Sequence, residues 1–275
     1  MPLDELILTI VNITLIGLAL YVFLYFLSTG RLGEKQLRLG PTRDLHQPAW
    51  VYAIAIVGVL AYSALKLTAT TGQPLWFLLL IEIIPYAMVG LLLGRARASE
   101  AGFRKIGLLP RWPKRDAWWG LASGVVSLGL AGGVGFLVNF ISTRMGQPVD
   151  PVAHEALQTL REEFTVDMLV ALIITAVILA PLIEEIVFRG VFQTALLWLF
   201  RGTRWPAILI ASFVFAIIHH SVVPWQGLIS LFVLGIVWGY TYERTGSLLA
   251  PILAHAVFNA ANIAIALNLP DPLPQ

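Results

Sequence analysis

Glu184 and Glu185 stand side by side in this sequence, and Arg189 follows the second carboxylate by four residues. Residues 168–182 and 190–200, on either side, carry no charge. A charged side chain at the centre of a bilayer helix costs about 2.5–3.5 kcal/mol on insertion scales. Three such groups in six residues therefore need partners or a water-filled cavity. On a helix Glu185 and Arg189 share a face and can pair, whereas Glu184 is turned about 100° away. A structural ion pair then sits beside a second carboxylate left available for chemistry. All three acting only to lock helices together is the plainer alternative.

Two later segments carry compatible groups. Ser212, Phe215 and His219 fall on one helix face, and His220 falls off it. His255 and Asn259 are four apart on another helix. An imidazole and an amide side by side in hydrocarbon can both donate to a developing oxyanion, although interhelical hydrogen bonding also explains them. At 1.5 Å per residue from the basic loop ends, Glu184 lies about 24 Å up its helix and His219 about 21 Å up its own. The same count gives about 16 Å for Asn259 and about 10 Å for His255. Two histidines and a glutamate also match the ligand count of a catalytic zinc site, but no carboxylate is evident beside either histidine to support it. His154-Glu155 begins like HExxH, but position 158 is Gln and the segment reads as a loop. There is no GxSxG and no cysteine, which removes the usual serine signature and every thiolate. Glu82 and Pro85 read as structural or cavity-lining.

The elements that must position these groups are membrane helices. The 275 residues are 58% hydrophobic and 12% charged, with a mean hydropathy of +0.81, against about 25% charged in soluble domains. Acidic Asp4 and Glu5 and a long apolar run argue for a first membrane helix rather than a signal peptide. Eight stretches reach spanning length: 5–28, 49–68, 75–94, 117–142, 167–199, 205–220, 226–243 and 248–268. Tryptophans 50, 76, 118, 119, 198, 205 and 225 mark their ends as an interfacial belt. The fifth stretch is long, and Pro181, just before the Glu pair, predicts a kink there. Gly235 and Gly239 offer a close-packing face. The chain thus reads as an all-α polytopic bundle of about eight transmembrane helices. It forms a single membrane domain over 1–275, with a motif-bearing core at about 117–268.

Arginines and lysines concentrate in odd-numbered loops, at 31–43, 95–115, 201–204 and 244. Even-numbered loops and the termini hold Arg144 and Arg161. The positive-inside rule then puts both termini outside the cytoplasm, in a multi-pass protein of the cell membrane. The basic charge speaks to membrane orientation, not to nucleic acid. The segment 102–115 reads either as a surface-lying stretch or as an ordinary basic loop.

Glu184-Glu185-Ile-Val-Phe-Arg189, Phe215-Ala-Ile-Ile-His219 and His255-Ala-Val-Phe-Asn259, in that order, match EExxxR, FxxxH and HxxxN. In this the chain resembles the CPBP family of intramembrane proteases, which includes type II CAAX prenyl endopeptidases and bacteriocin-processing or immunity relatives. The resemblance implies a membrane endopeptidase with no metal cofactor. Glu184 would be the general base on a water that His219 holds, and His255 and Asn259 would stabilise the oxyanion. Glu185, Arg189 and Phe215 would support them. Its partners would be a peptide or lipid-modified protein substrate and membrane lipids. Three alternatives remain: a zinc-dependent protease, a scaffold or immunity protein that binds peptides in the same cavity without catalysis, and a proton-coupled transporter.

Overall fold

The computed structural model describes residues 3–38, 49–68, 83–90, 107–108, 110, 112–146, 157 and 165–268. Among these every regular element is a helix. In chain order they are α1 (Leu3–Ser28), α2 (Glu34–Arg38), α3 (Ala49–Thr68), α4 (83–90), α5 (Pro113–Arg144), α6 (Val166–Leu199), α7 (Arg204–Ile217), α8 (Trp225–Thr245) and α9 (Leu249–Asn268). Ala49–Leu67, α5, α6 and α9 are each long and apolar enough to cross a bilayer, and Ile13–Ser28 and α7 are shorter apolar helices. The protein is an all-α membrane helix bundle. The third expected span is seen as helix only over 83–90. Glu82, His154, Glu155 and Gln158 lie outside the described residues, as does half of 102–115.

Helices in lipid gain little from the hydrophobic effect on meeting one another, so close van der Waals approach must hold them. Glycines supply it here. A Cβ at Gly129 of α5 would run into the Leu15 carbonyl oxygen of α1. At Gly235 of α8 it would meet Ser212 Cβ of α7 at 2.8 Å, and at Gly239 it would meet the Gln193 Oε1 of α6 at 2.8 Å. The face read from Gly235 and Gly239 is a packing face. Phe188, Phe192, Phe215, Leu234 and Trp238 fill the core that these approaches enclose. Tyr52 of α3 stacks on Trp198 of α6 at 5.0 Å between ring centroids.

Polar bonds gather at one end. The Arg204 N–H donates to Glu34 at 2.9 Å, Trp205 Nε1 to the Leu32 carbonyl at 2.8 Å, and Tyr240 Oη to the Arg31 carbonyl at 3.1 Å. Arg204 pairs with Glu243 at 3.1 Å, and Gln193 donates to the same carboxyl at 2.8 Å. Arg115 reaches the Thr245 carbonyl, and the Leu248 N–H reaches that of Gly107. α8 closes at Gly246 with a φ of 65°, a left-handed cap that suits glycine. The Ser247 hydroxyl then accepts the first N–H of α9. The odd-numbered basic loops thus meet at one end of the bundle. Lys66, in the last turn of α3, is a cation away from that end that the loop count omits.

α6 runs unbroken from Val166 to Leu199, but not as a uniform α-helix. Ile173–Leu179 and Ile186–Gln193 are π-helical, with α turns between and around them. Pro181 sits at the start of the middle α turn, immediately after the first π segment. The residues around Pro181, where a kink is expected, carry a change of helical register.

Candidate active site

The Glu-Glu pair lies in the short α segment Ala180–Glu185 between the two π segments. Its carboxylates part company there. Glu185 is fully buried, with Oε2 accepting from Arg189 Nε at 2.9 Å and Oε1 facing His255 Nδ1 at 3.2 Å. The predicted pair is formed, and it reaches a third residue. Glu184 keeps 26% of its side chain exposed and lines a cavity of about 660 Å³. Phe215, His219, His255 and Asn259 line the same cavity. Of the seven residues singled out by the motifs, five meet at this wall, and Glu185 and Arg189 stand behind it.

His219 lies in the turn after α7, not within the helix as the span 205–220 implied. Its Nδ1 is 2.8 Å from the Phe215 carbonyl, a helix-end acceptor without a continuing turn. That acceptor requires Nδ1 to carry the proton, leaving Nε2 turned toward Glu184 Oε2 at 3.9 Å. His220 is exposed. Phe215 sits among the polar groups. Its ring is 4.9 Å from that of His219 and 6.1 Å from that of His255, with the Arg189 guanidinium 5.4 Å away over its face.

His255 and Asn259 share a face of α9, but each already has a partner on α6. His255 meets Glu185, and Asn259 Nδ2 donates to the Ala176 carbonyl at 2.7 Å. The linear count put His255 well below Glu184, whereas the two helices bring it to the neighbouring carboxylate. Glu185 is also the carboxylate beside a histidine that the sequence did not reveal, and it removes one objection to zinc. Even so, no group of three or more His, Asp or Glu side chains suited to a metal ion occurs among the described residues.

Trp238 is the member that the motifs missed. It stacks on His255 at 4.1 Å with an interplanar angle of 19°, and its indole N–H donates to Ser127 at 3.0 Å. Its position was the available signal. Most tryptophans in this chain fall at helix ends, where an interfacial belt explains them, but Trp238 lies within a predicted span. Gln226 and Ser230 of α8 also line the cavity.

Residues 166–261 match the family described as type II CAAX prenyl endopeptidase Rce1-like. That stretch contains all three motifs and agrees with the resemblance they carry. An Escherichia coli protein described as an uncharacterized 24.3 kDa protein is 35% identical over 83 residues, which is 30% of this chain and 38% of that relative. The chain thus spans well under half the length of the curated relative it matches. No solved structure matches the chain.

Proposed function

From the premise that residues 166–261 are an Rce1-like region, we propose that this chain is an intramembrane endopeptidase in which Glu184 activates water to hydrolyse peptide bonds near the membrane. The observation that carries this is the facing of Glu184 Oε2 and His219 Nε2 at 3.9 Å on a cavity wall. That gap is too long for a direct hydrogen bond. With Nδ1 tied to the Phe215 carbonyl, the neutral His219 ring presents a lone pair at Nε2. Carboxylate and imidazole are then two acceptors that can take the two protons of one water and leave its oxygen lone pair free.

In the reaction this oxygen bonds to the scissile carbonyl carbon while its proton passes to Glu184. The carbonyl oxygen becomes an oxyanion, for which Asn259 is a donor; His255, whose Nδ1–H is already given to Glu185, donates from Nε2 only as the imidazolium. The proton on Glu184 goes to the leaving nitrogen as the C–N bond breaks. Glu185 fixes the His255 ring through Nδ1, and Trp238 holds it from one face. Arg189 neutralises Glu185 from below. No cofactor enters these steps.

The substrate we propose is a peptide, or a lipid-modified protein of the CAAX-box type, whose apolar part lies in the cavity beside Leu128, Ala131, Phe136 and Leu172. The motif-bearing core extends over about 117–268, within a single membrane domain of 1–275. The Lys and Arg balance of the loops orients both termini away from the cytoplasm in the cell membrane.

Cleavage of a labelled peptide panel, prenylated and not, in proteoliposomes tests this. Wild type should cut, Glu184→Gln should lose about 10²–10⁴-fold, and a chelator should leave the rate unchanged. Undiminished cleavage by Glu184→Gln would remove the carboxylate from the chemistry. Loss on chelation with recovery on added zinc would make Glu184, His219 and His255 ligands. A wild type that binds peptides but cuts none would be a scaffold.

A further inference from the structure

Ala176 O is the one carbonyl of the first π segment for which the register and the sequence conflict. Ala180 donates its N–H to Thr175 O, five residues back, so it is not available to Ala176. In this register the next donor, for Ala176 O, is the residue at 181. That residue is proline and has no N–H. A backbone acceptor left unpaired in a membrane interior costs several kcal/mol. The Asn259 side chain of α9 fills the place, with Nδ2 at 2.7 Å. A carbonyl only accepts, so the amide orientation is determined: nitrogen toward Ala176.

We propose that Asn259 is a positioning residue as well as an oxyanion donor. By taking the carbonyl that Pro181 strands, it pins the π register that turns Glu184 into the cavity. Glu184 lies beyond the end of this π segment, in the α turn that follows it. Were the same residues wound as a uniform α-helix, the chain beyond would turn by about 100° relative to that before it. Glu184 would leave the cavity wall and Ile183 or Glu185 would approach it. The amide nitrogen has two protons. One is spent on Ala176, and the other remains for the site.

The positioning role rests on the proposed use of Glu184, but the bond itself can be tested without any substrate. Asn259→Leu keeps the bulk and removes the donor. Pro181→Ala gives residue 181 an N–H that can take Ala176 O. Unfolding in mixed micelles of the wild type, the two single variants and the double variant forms a cycle. Asn259→Leu should shift the folding equilibrium about tenfold toward unfolded in the Pro181 background, and severalfold less beside Pro181→Ala. Equal penalties in both backgrounds overturn the bond.

The register has its own readout, because the chain contains no cysteine. Glu184→Cys supplies a single thiol whose rate of modification by a small water-soluble thiosulfonate reports access from the cavity. Asn259→Leu should slow that rate at least severalfold, and adding Pro181→Ala should restore most of it. An unchanged rate overturns the positioning role while leaving the peptidase reading intact. If wild type proves unable to cut peptides, the stability and labelling results still stand on their own. Where cleavage is measurable, kcat should follow the labelling rate. A kcat loss that is identical with and without Pro181→Ala would mean that Asn259 acts on the oxyanion alone.

Discussion

Arg189 is completely buried and spends Nε on a carboxylate that also serves His255. Breaking such a pair leaves a lone charge in a dry interior, which costs about 3–5 kcal/mol. Arg189→Leu should lower stability by that amount in denaturant unfolding, and pairing it with Glu185→Gln should recover part of it. Phe215→Ala should cost a similar amount, about 3–5 kcal/mol, because the ring touches both histidines and the guanidinium. If either variant unfolds like wild type, the buried pair or the aromatic contact is not a main support. At this scale the sequence was highly informative. Two opposite charges four apart on a helix, in a stretch whose one other charge is the neighbouring Glu184, permit few arrangements, and the pair formed as expected. What could not be read was which third residue joins it. The His255–Glu185 contact spans two helices whose relative height depends on the winding of each.

That winding belongs to the helices. Apolar periodicity identifies α6 but says nothing of its π segments. Pro181 signalled a disturbance, and the structure shows an added residue per turn beside it. Interhelical spacing was more legible. Gly235 and Gly239 announced a close approach, and their missing Cβ atoms correspond to Ser212 and Gln193 on two different helices. Gly235→Ala should push α7 from α8 and cost about 1–3 kcal/mol, read as a lowered unfolding midpoint. His219 follows directly from the end of α7, so the same variant should also slow cleavage. A stability loss with cleavage intact would mean that the α7–α8 spacing does not set the distance from His219 to Glu184.

Across the whole molecule, the polar bonds are unevenly distributed. The end that collects Arg31, Arg204, Arg244 and the Gly107 carbonyl is tied by bonds among α2, α6, α7, α8 and the α8–α9 turn. Loop charge counting had already grouped these basic residues, but not the acidic groups that tie them, Glu34 and Glu243. Glu243→Leu strips Arg204 of its carboxylate and should destabilise by about 3 kcal/mol, as measured by unfolding in the same micelles. A neutral result would show that the Arg204–Glu243 pair is not among the bonds that hold that end. Around the cavity the described cross-helix side-chain bonds include His255–Glu185, Asn259–Ala176 and Trp238–Ser127, and the lining includes the apolar Leu15, Phe136, Leu172 and Ile265. Lateral pressure from a bilayer adds to what these bonds hold. Short-chain detergents, which supply little of it, should therefore silence cleavage before any helix is lost, and return to lipid of matched thickness should revive it.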